Sequence, residues 1–367
     1  MNDYEIINNL ENHGDEKVLP GHFLRATFPR IGGRILTEGG GNLVGLGLPV
    51  LEGGMVIRGH KIGESDVWPK GWLDVESKAE FIEEIVAIDG GLTISRPNEV
   101  QAREARQLQR KTWGDGSALY PWDLYGKGRG AETGLVALEN RKIVGFLLGF
   151  GGRGKKWIGD ISGGKEEGEW IESQLMAVDP ESRGKGISKA LKWRQYEDAE
   201  NRGIRMIHWT VDPLQIVNAR LNYGLGAVAA EHVRKYYSFV NKLNQVPASR
   251  FGIYWPVGSE RAERIRGGER ILHVFKKLLR EGARVINPLS DNWENIKPDG
   301  EKLLIEIPIN WTEMQENNVR LAERWRERTD LLFDGIIGTG SEKYVIGGGV
   351  VEEERAYLIA VPFGEIF

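Results

Sequence analysis

The chain has 367 residues with a formal net charge of −4, and this mild acidity argues against a general nucleic-acid binder. Forty per cent of the residues are hydrophobic and 28% charged, as in globular proteins with ample core, and with no cysteine the chain excludes disulfides, thiolate nucleophiles and cysteine-held zinc. Six scattered histidines, none paired at helical ligand spacing, and no apolar run near the ~20 residues of a membrane span leave neither a metal nor a membrane partner expected.

The polar, acidic start Met1-Asn2-Asp3-Tyr4-Glu5 does not read as a secretory leader, so the expected location is cytoplasmic. Glycine doublets (Gly32-Gly33, Gly53-Gly54, Gly90-Gly91) between apolar stretches are turn signals. Residues 1–90 therefore read as a β-rich accessory unit, with strands over Phe23–Phe28, Asn42–Leu51 and Gly54–Ile57. The spacing of Phe81, Ile82 and Ile85 predicts a short helix over Lys78–Ile88.

From Gly91 the pattern becomes regular. Leu92–Ser95 is a strand, and Asn98 is placed to cap a helix carrying Ala102, Ala105 and Leu108. Gly134–Leu138 and Ile143–Phe150 flank the turn Glu139-Asn140-Arg141 as a hairpin, and Trp170–Val178 is a further strand. Ser188–Arg202 follows as a helix ended by Gly203, then Ile204–Val211 as a strand. Asp212-Pro213 has the order of an N-cap and first helical residue.

The most informative stretch joins that strand to that helix: Val178-Asp179-Pro180-Glu181-Ser182-Arg183-Gly184-Lys185-Gly186-Ile187-Ser188. A glycine-rich basic loop here leaves backbone N–H groups unpaired at a helix N-terminus, where the helix dipole favours an anion such as pyrophosphate. Gly184 and Gly186 free the backbone, and Arg183 and Lys185 add charge. The lysine-serine end of a Walker loop and the three glycines of a dinucleotide fingerprint are both missing.

Arg183-Gly184-Lys185-Gly186-Ile187-Ser188 resembles the CoA-pyrophosphate loop of the GNAT superfamily of acyl-CoA N-acyltransferases. The order helix, hairpin, strand, loop, helix, strand, helix resembles that superfamily as well. Trp209-Thr210-Val211-Asp212-Pro213, Asn218-Ala219-Arg220-Leu221-Asn222 and Leu225-Gly226-Ala227 resemble a branch of predicted acetyltransferases with a Trp-Thr-x-Asp-Pro, Asn-Ala-x-x-Asn and Leu-Gly-Ala signature. Between Asn222 and Leu225 the chain is one residue short of that pattern, which predicts a kinked or tighter helix end.

The resemblance implies an α/β (α+β) fold with a mixed, mostly antiparallel central sheet flanked by helices. It divides the chain into the N-terminal β-rich unit 1–90, with a degenerate GNAT-like half as the alternative, an acyl-CoA-binding core 91–260 and a C-terminal α/β extension 261–367. It implies acetyl-CoA or another acyl-CoA, such as succinyl-CoA, as co-substrate, no metal, and a small amine or amino acid as acceptor. A homodimer is compatible with it. The alternative is a non-catalytic acyl-CoA-binding or sensory module.

By the same resemblance Leu175, Met176 and Val178 offer backbone groups to the pantetheine arm, and residues 183–188 hold the pyrophosphate. Glu172, six residues before Val178, matches the spacing of a catalytic glutamate; a water relay through Ser173 and His208 is the alternative base. Tyr223 is the candidate acid for the CoA thiolate, with Tyr236 and Tyr237 as alternatives, and Asn218 either bonds the CoA arm or orders its helix. Arg324, Arg326 and Arg328 beside Glu323 and Glu327 read as a solvated, paired helix face.

Overall fold

A computed structural model describes residues 34–37, 43–49, 55–59, 85–88, 91–113, 120, 122–126, 131–153, 168–237, 244–290, 293, 296 and 301–366. The expected strand Phe23–Phe28 and residues 78–84 of the expected helix lie outside them. The chain divides into two compact units, Met1–Gly154 with Glu167–Ile207, and Lys155–Glu166 with His208–Phe367.

In the first unit β1 (Arg34–Thr37), β2 (Leu43–Pro49) and β3 (Met55–Gly59) form a three-stranded antiparallel sheet. A second sheet runs through β4 (Ile85–Ile88), β5 (Leu92–Ser95), β6 (Ala131–Glu139), β7 (Lys142–Arg153) and β8 (Glu169–Val178), each antiparallel to the next. Strand β4 corrects the helix expected over its residues. Ile85, Val86 and Ile88 are β-branched, and Gly91, at φ 79°, supplies the left-handed residue that a short hairpin turn needs. The turn between β6 and β7 places Asn140 (φ 50°) and Arg141 (φ 64°) in the left-handed region, as a two-residue hairpin requires.

Two helices cover this sheet. Helix α1 (Glu99–Trp113) opens with the expected Asn98 cap: the Gln101 N–H donates to Asn98 Oδ1 (3.0 Å) and the Asn98 N–H to Gln101 Oε1 (2.9 Å). Its Ala102, Ala105 and Leu108 pack with Val136, Leu138, Phe146, Leu148 and Phe150. Helix α2 (Ile187–Asn201) places Ile187 and Leu191 with Leu135, Ala137, Leu147 and Val178. Neighbours of opposite parity along β6 thus enter different cores, so each helix takes its own face of the sheet. Gly203 (φ 70°) follows α2 as the left-handed residue predicted.

Strand β9 (Met206–Val211) crosses the boundary between units at Ile207 and His208. The second unit continues with α3 (Ile216–Gly224), β10 (Val228–Tyr237), β11 (Ala248–Pro256), α4 (Glu260–Arg266), α5 (Phe275–Arg280), β12 (Arg284–Ile286) and β13 (Leu303–Ile307). It ends with α6 (Trp311–Asn317), α7 (Val319–Ile336), β14 (Tyr344–Glu352) and β15 (Arg355–Pro362). Its strands run in the order β12, β13, β15, β14, β10, β11, antiparallel except for the parallel pair β12–β13. Each unit is mixed α/β around a mostly antiparallel sheet, the fold class expected. No helix among the described residues is long and apolar enough to cross a membrane.

Two expectations fail at Asp212. It does not cap α3, whose N-cap is Gln215. Asp212 Oδ1 accepts the Leu214 N–H (2.9 Å), closing a turn instead, and Oδ2 accepts from Arg326 Nη2 (2.7 Å) and Trp311 Nε1 (3.3 Å). A carboxylate that is 2% exposed needs a charged partner, and Arg326, expected on a solvated face, is buried to provide it.

Candidate active site

The chemistry-bearing part of the first unit starts with an irregularity in β8. Leu148 pairs with Leu175 and Phe150 with Glu172, so Gly149 alone faces two residues, Ser173 and Gln174. That is a β-bulge, which leaves one residue out of the ladder and reverses the side-chain alternation. Without it Glu172 would share a face with Met176 and Val178, which pack on the α2 side. With it, Glu172 lies opposite Phe150, a member of the α1-side core.

Glu172 is 6% exposed and accepts a hydrogen bond from Trp170 Nε1 (3.2 Å). The Trp170 ring lies across its cross-strand partner Gly152, where an added Cβ would fall 2.1 Å from the indole. Ser173 turns the other way and accepts from Lys192 Nζ of α2 (2.8 Å). Lys192 is 2% exposed; burial pushes its ammonium group well below the usual lysine range, and the charge of Glu172 opposes part of that shift. One turn on, Gln195 is fully buried, and neither atom of its amide has a hydrogen-bond partner among the described residues. Sequence reading passed over Trp170 and Lys192. Nothing in the spacing marks Lys192: the residues three and four positions away are Ser188, Lys189, Gln195 and Tyr196.

After Val178 the chain turns through Asp179. Its carboxylate accepts from Lys111 Nζ (2.8 Å) and the Glu181 N–H (3.2 Å), and the Lys111 bond holds it below the usual carboxylate range. A single 3₁₀ turn, Pro180–Ser182, leads to Arg183, whose Nε lies 3.4 Å from the Val178 carbonyl. Gly184 (φ 80°) and Gly186 (φ 82°) are both left-handed, with open space where a Cβ would stand. Gly186 is the N-cap of α2 and contributes no side-chain bond. No N–H from Gly184 to Lys189 has a backbone acceptor among the described residues. Arg183 and Lys185 are exposed, Lys185 reaching Glu139 (2.8 Å), while the Ile187 side chain is buried and only its amide faces the loop. Leu175, Met176 and Ser188 are half-buried. Unpaired amides, open glycines and two exposed cations fit a pyrophosphate.

The other candidates lie in the second unit. Tyr223 of α3 is buried, and burial pushes its hydroxyl well above the usual phenol range. Helix α3 closes with the Gly226 N–H donating to the Tyr223 carbonyl and the Ala227 N–H to that of Asn222, with Gly226 at φ 91°. Asn218 Nδ2 donates to Gln215 Oε1 (3.0 Å), ordering the first turn. His208 is buried with its ring 5.0 Å from that of Tyr254. Tyr236 and Tyr237 stack edge-to-face at 4.8 Å. No group of acidic and histidine side chains suited to a metal occurs among the described residues.

A bulged strand thus feeds a glycine-rich, basic loop at a helix N-terminus, an arrangement suited to an anion. Residues 100–221, about a third of the chain, match the family model described as the acetyltransferase (GNAT) family, which marks this segment as a GNAT acetyltransferase domain. No curated protein matches the chain. Among solved structures it is similar to the ribosomal-protein-S18-alanine N-acetyltransferase of Escherichia coli, at 16% identity over 50% of this chain and 99% of that one, with a TM-score of 0.35. It is also similar to Arabidopsis thaliana NAA60 in complex with a bisubstrate analogue (14% identity, 46% and 98% covered, TM-score 0.39). A third is yncA, a putative acetyltransferase from Salmonella typhimurium with its cofactor acetyl-CoA (16%, 46% and 95%, TM-score 0.35).

Proposed function

We propose that the chain transfers an acyl group, acetyl or a larger one such as succinyl, from acyl-CoA to a small amine or amino acid by direct attack on the thioester. The observation that carries this reading is the run of unpaired amides from Gly184 to Lys189 inside the GNAT-matched segment. There residues 183–188 hold the pyrophosphate, and the backbone of Leu175, Met176 and Val178 pairs with the pantetheine arm as an added strand would. Asn218 serves its helix, and its side chain is already engaged by Gln215.

An amine with a pKa near ~10 arrives protonated at neutral pH and must lose a proton before it can attack. Glu172 is the base. The bulge sets its face, and the Trp170 indole holds its carboxylate by a hydrogen bond. The N–C bond forms as the C–S bond breaks; the thiolate takes a proton from Tyr223, and the proton that the nitrogen sheds on becoming an amide restores the tyrosine hydroxyl, which burial favours in its protonated form. The C-terminal stretch 261–367 is proposed as an extension of the core 91–260.

The test is incubation of the full chain with acetyl-CoA and succinyl-CoA against pooled amines and amino acids, read by free-thiol release and product mass. Transfer to one acceptor class supports the reading. CoA binding without thiol release in any pool would overturn it and mark the chain as an acyl-CoA-binding module.

A further inference from the structure

The second unit holds a cavity of about 290 Å³ between helix α3, strand β14 and the segment Ile271–His273. Three of its lining side chains carry polar groups. Arg220 is exposed at the rim and, among the described residues, has no hydrogen bond or ion pair. Tyr223 presents a buried ring whose hydroxyl likewise has no partner among the described residues. His273 is half-buried with Nε2 unpaired, and burial, with Arg261 and Lys302 nearby, holds its imidazole below the usual histidine range, so it is neutral at neutral pH. The remaining walls are apolar: Ala219, Ile271, Leu272, Val350 and Val351.

Arg220 is therefore the one full charge among the described lining residues, and it is positive. An ammonium group is repelled there, whereas a carboxylate meets a guanidinium free to take it bidentately. Leu272 is 80% exposed although it borders the cavity, so an apolar body seated there gains area that is now in water. Gly347, Gly348 and Gly349 keep the β14 floor low: a Cβ on Gly349 would press on Ile216 and Ala219, and one on Gly348 on His273. A volume of this size holds about ten non-hydrogen atoms, at roughly 30 Å³ each as for liquid water.

We propose that this cavity is a binding site for a small molecule with one carboxylate and an apolar body, the carboxylate on Arg220 and the body against Leu272, Val350 and Val351. The site stands on the cavity and its unpaired groups, not on acyl transfer. It is tested by binding alone, so its failure and that of the transferase reading are separable.

Octanoate, octanamide and octylamine are titrated into the full chain by calorimetry without CoA. The expected order is octanoate tightest, octanamide at least tenfold weaker, octylamine without heat. Arg220→Met abolishes the preference for octanoate over octanamide. Gly224 also lines the cavity, and a Cβ there meets nothing within 4 Å, so Gly224→Leu puts apolar bulk into the space and weakens octanoate and octanamide at least tenfold. Circular dichroism confirms that both variants fold. Octanoate bound no better than octanamide, or bound equally by wild type and both variants, overturns the proposal, as does absence of octanoate binding.

Discussion

Lys192 Nζ lies 2.8 Å from Ser173 Oγ, a bond between two buried side chains that ties helix α2 to the one residue pair at which β8 leaves its register. It pins the bulge, and the bulge aims Glu172. Lys192→Met removes the pin and also the cost of burying an amine. The variant is expected to match or exceed wild type in thermal midpoint, to bind CoA equally, and to turn over roughly tenfold more slowly. Because the folded-state pKa of Lys192 is lowered, the unfolded chain binds the extra proton between that value and 10.5, and lysine burial costs stability throughout this window. The midpoint advantage of the variant should therefore shrink as pH rises toward 10.5. A pH-independent difference between the two melting curves would remove this account.

Glu172→Gln keeps the Trp170 hydrogen bond and deletes the base. Turnover should fall by ~10²-fold with CoA affinity unchanged, and the acidic limb of the pH–rate profile should flatten. Double substitution with Lys192→Met should cost little more than Glu172→Gln alone, since the lysine acts through the glutamate. Equal turnover in wild type and Glu172→Gln would shift the base to a water relay.

At the loop, Gly186→Ala and Gly186→Glu separate conformation from charge. Space around this position is open, so alanine meets only the left-handed φ of 82°, about 1–2 kcal/mol. Glutamate adds a negative charge where a pyrophosphate is held. Calorimetry with CoA should show modest weakening for alanine and no binding for a folded glutamate variant. Unchanged affinity in the glutamate variant would refute the loop assignment.

Tyr223→Phe removes one hydroxyl and keeps the ring. A loss on the order of tenfold is expected, larger at high pH, where solvent donates protons less readily while the buried phenol of the wild type remains protonated. If Tyr223→Phe equals wild type across pH and Tyr237→Phe is slowed, the acid is Tyr237.

Much of the first unit was legible because its signals are local. The Asn98–Gln101 capping box, the β6–β7 hairpin and the Arg183–Ser188 loop are each specified within a few consecutive residues. What escaped depends on partners distant in sequence. Ile85–Ile88 carries a helical spacing but pairs with Leu92–Ser95, and strand pairing overrode the period. Asp212-Pro213 has cap chemistry, yet Arg326 claims the carboxylate from 114 residues away. Bulges leave no mark in composition, so the face on which Glu172 lies could be read only from the β7–β8 register.

That Asp212–Arg326 pair also sets where the chain can be divided. The family match ends at residue 221, but a fragment cut there carries Asp212 without the guanidinium that neutralises it. Orphaning one member of a buried ion pair destabilises by about 3–5 kcal/mol. During synthesis the same condition holds for every nascent chain. The turn after β9 gains the partner for its buried carboxylate only once Arg326, 114 residues on, has emerged.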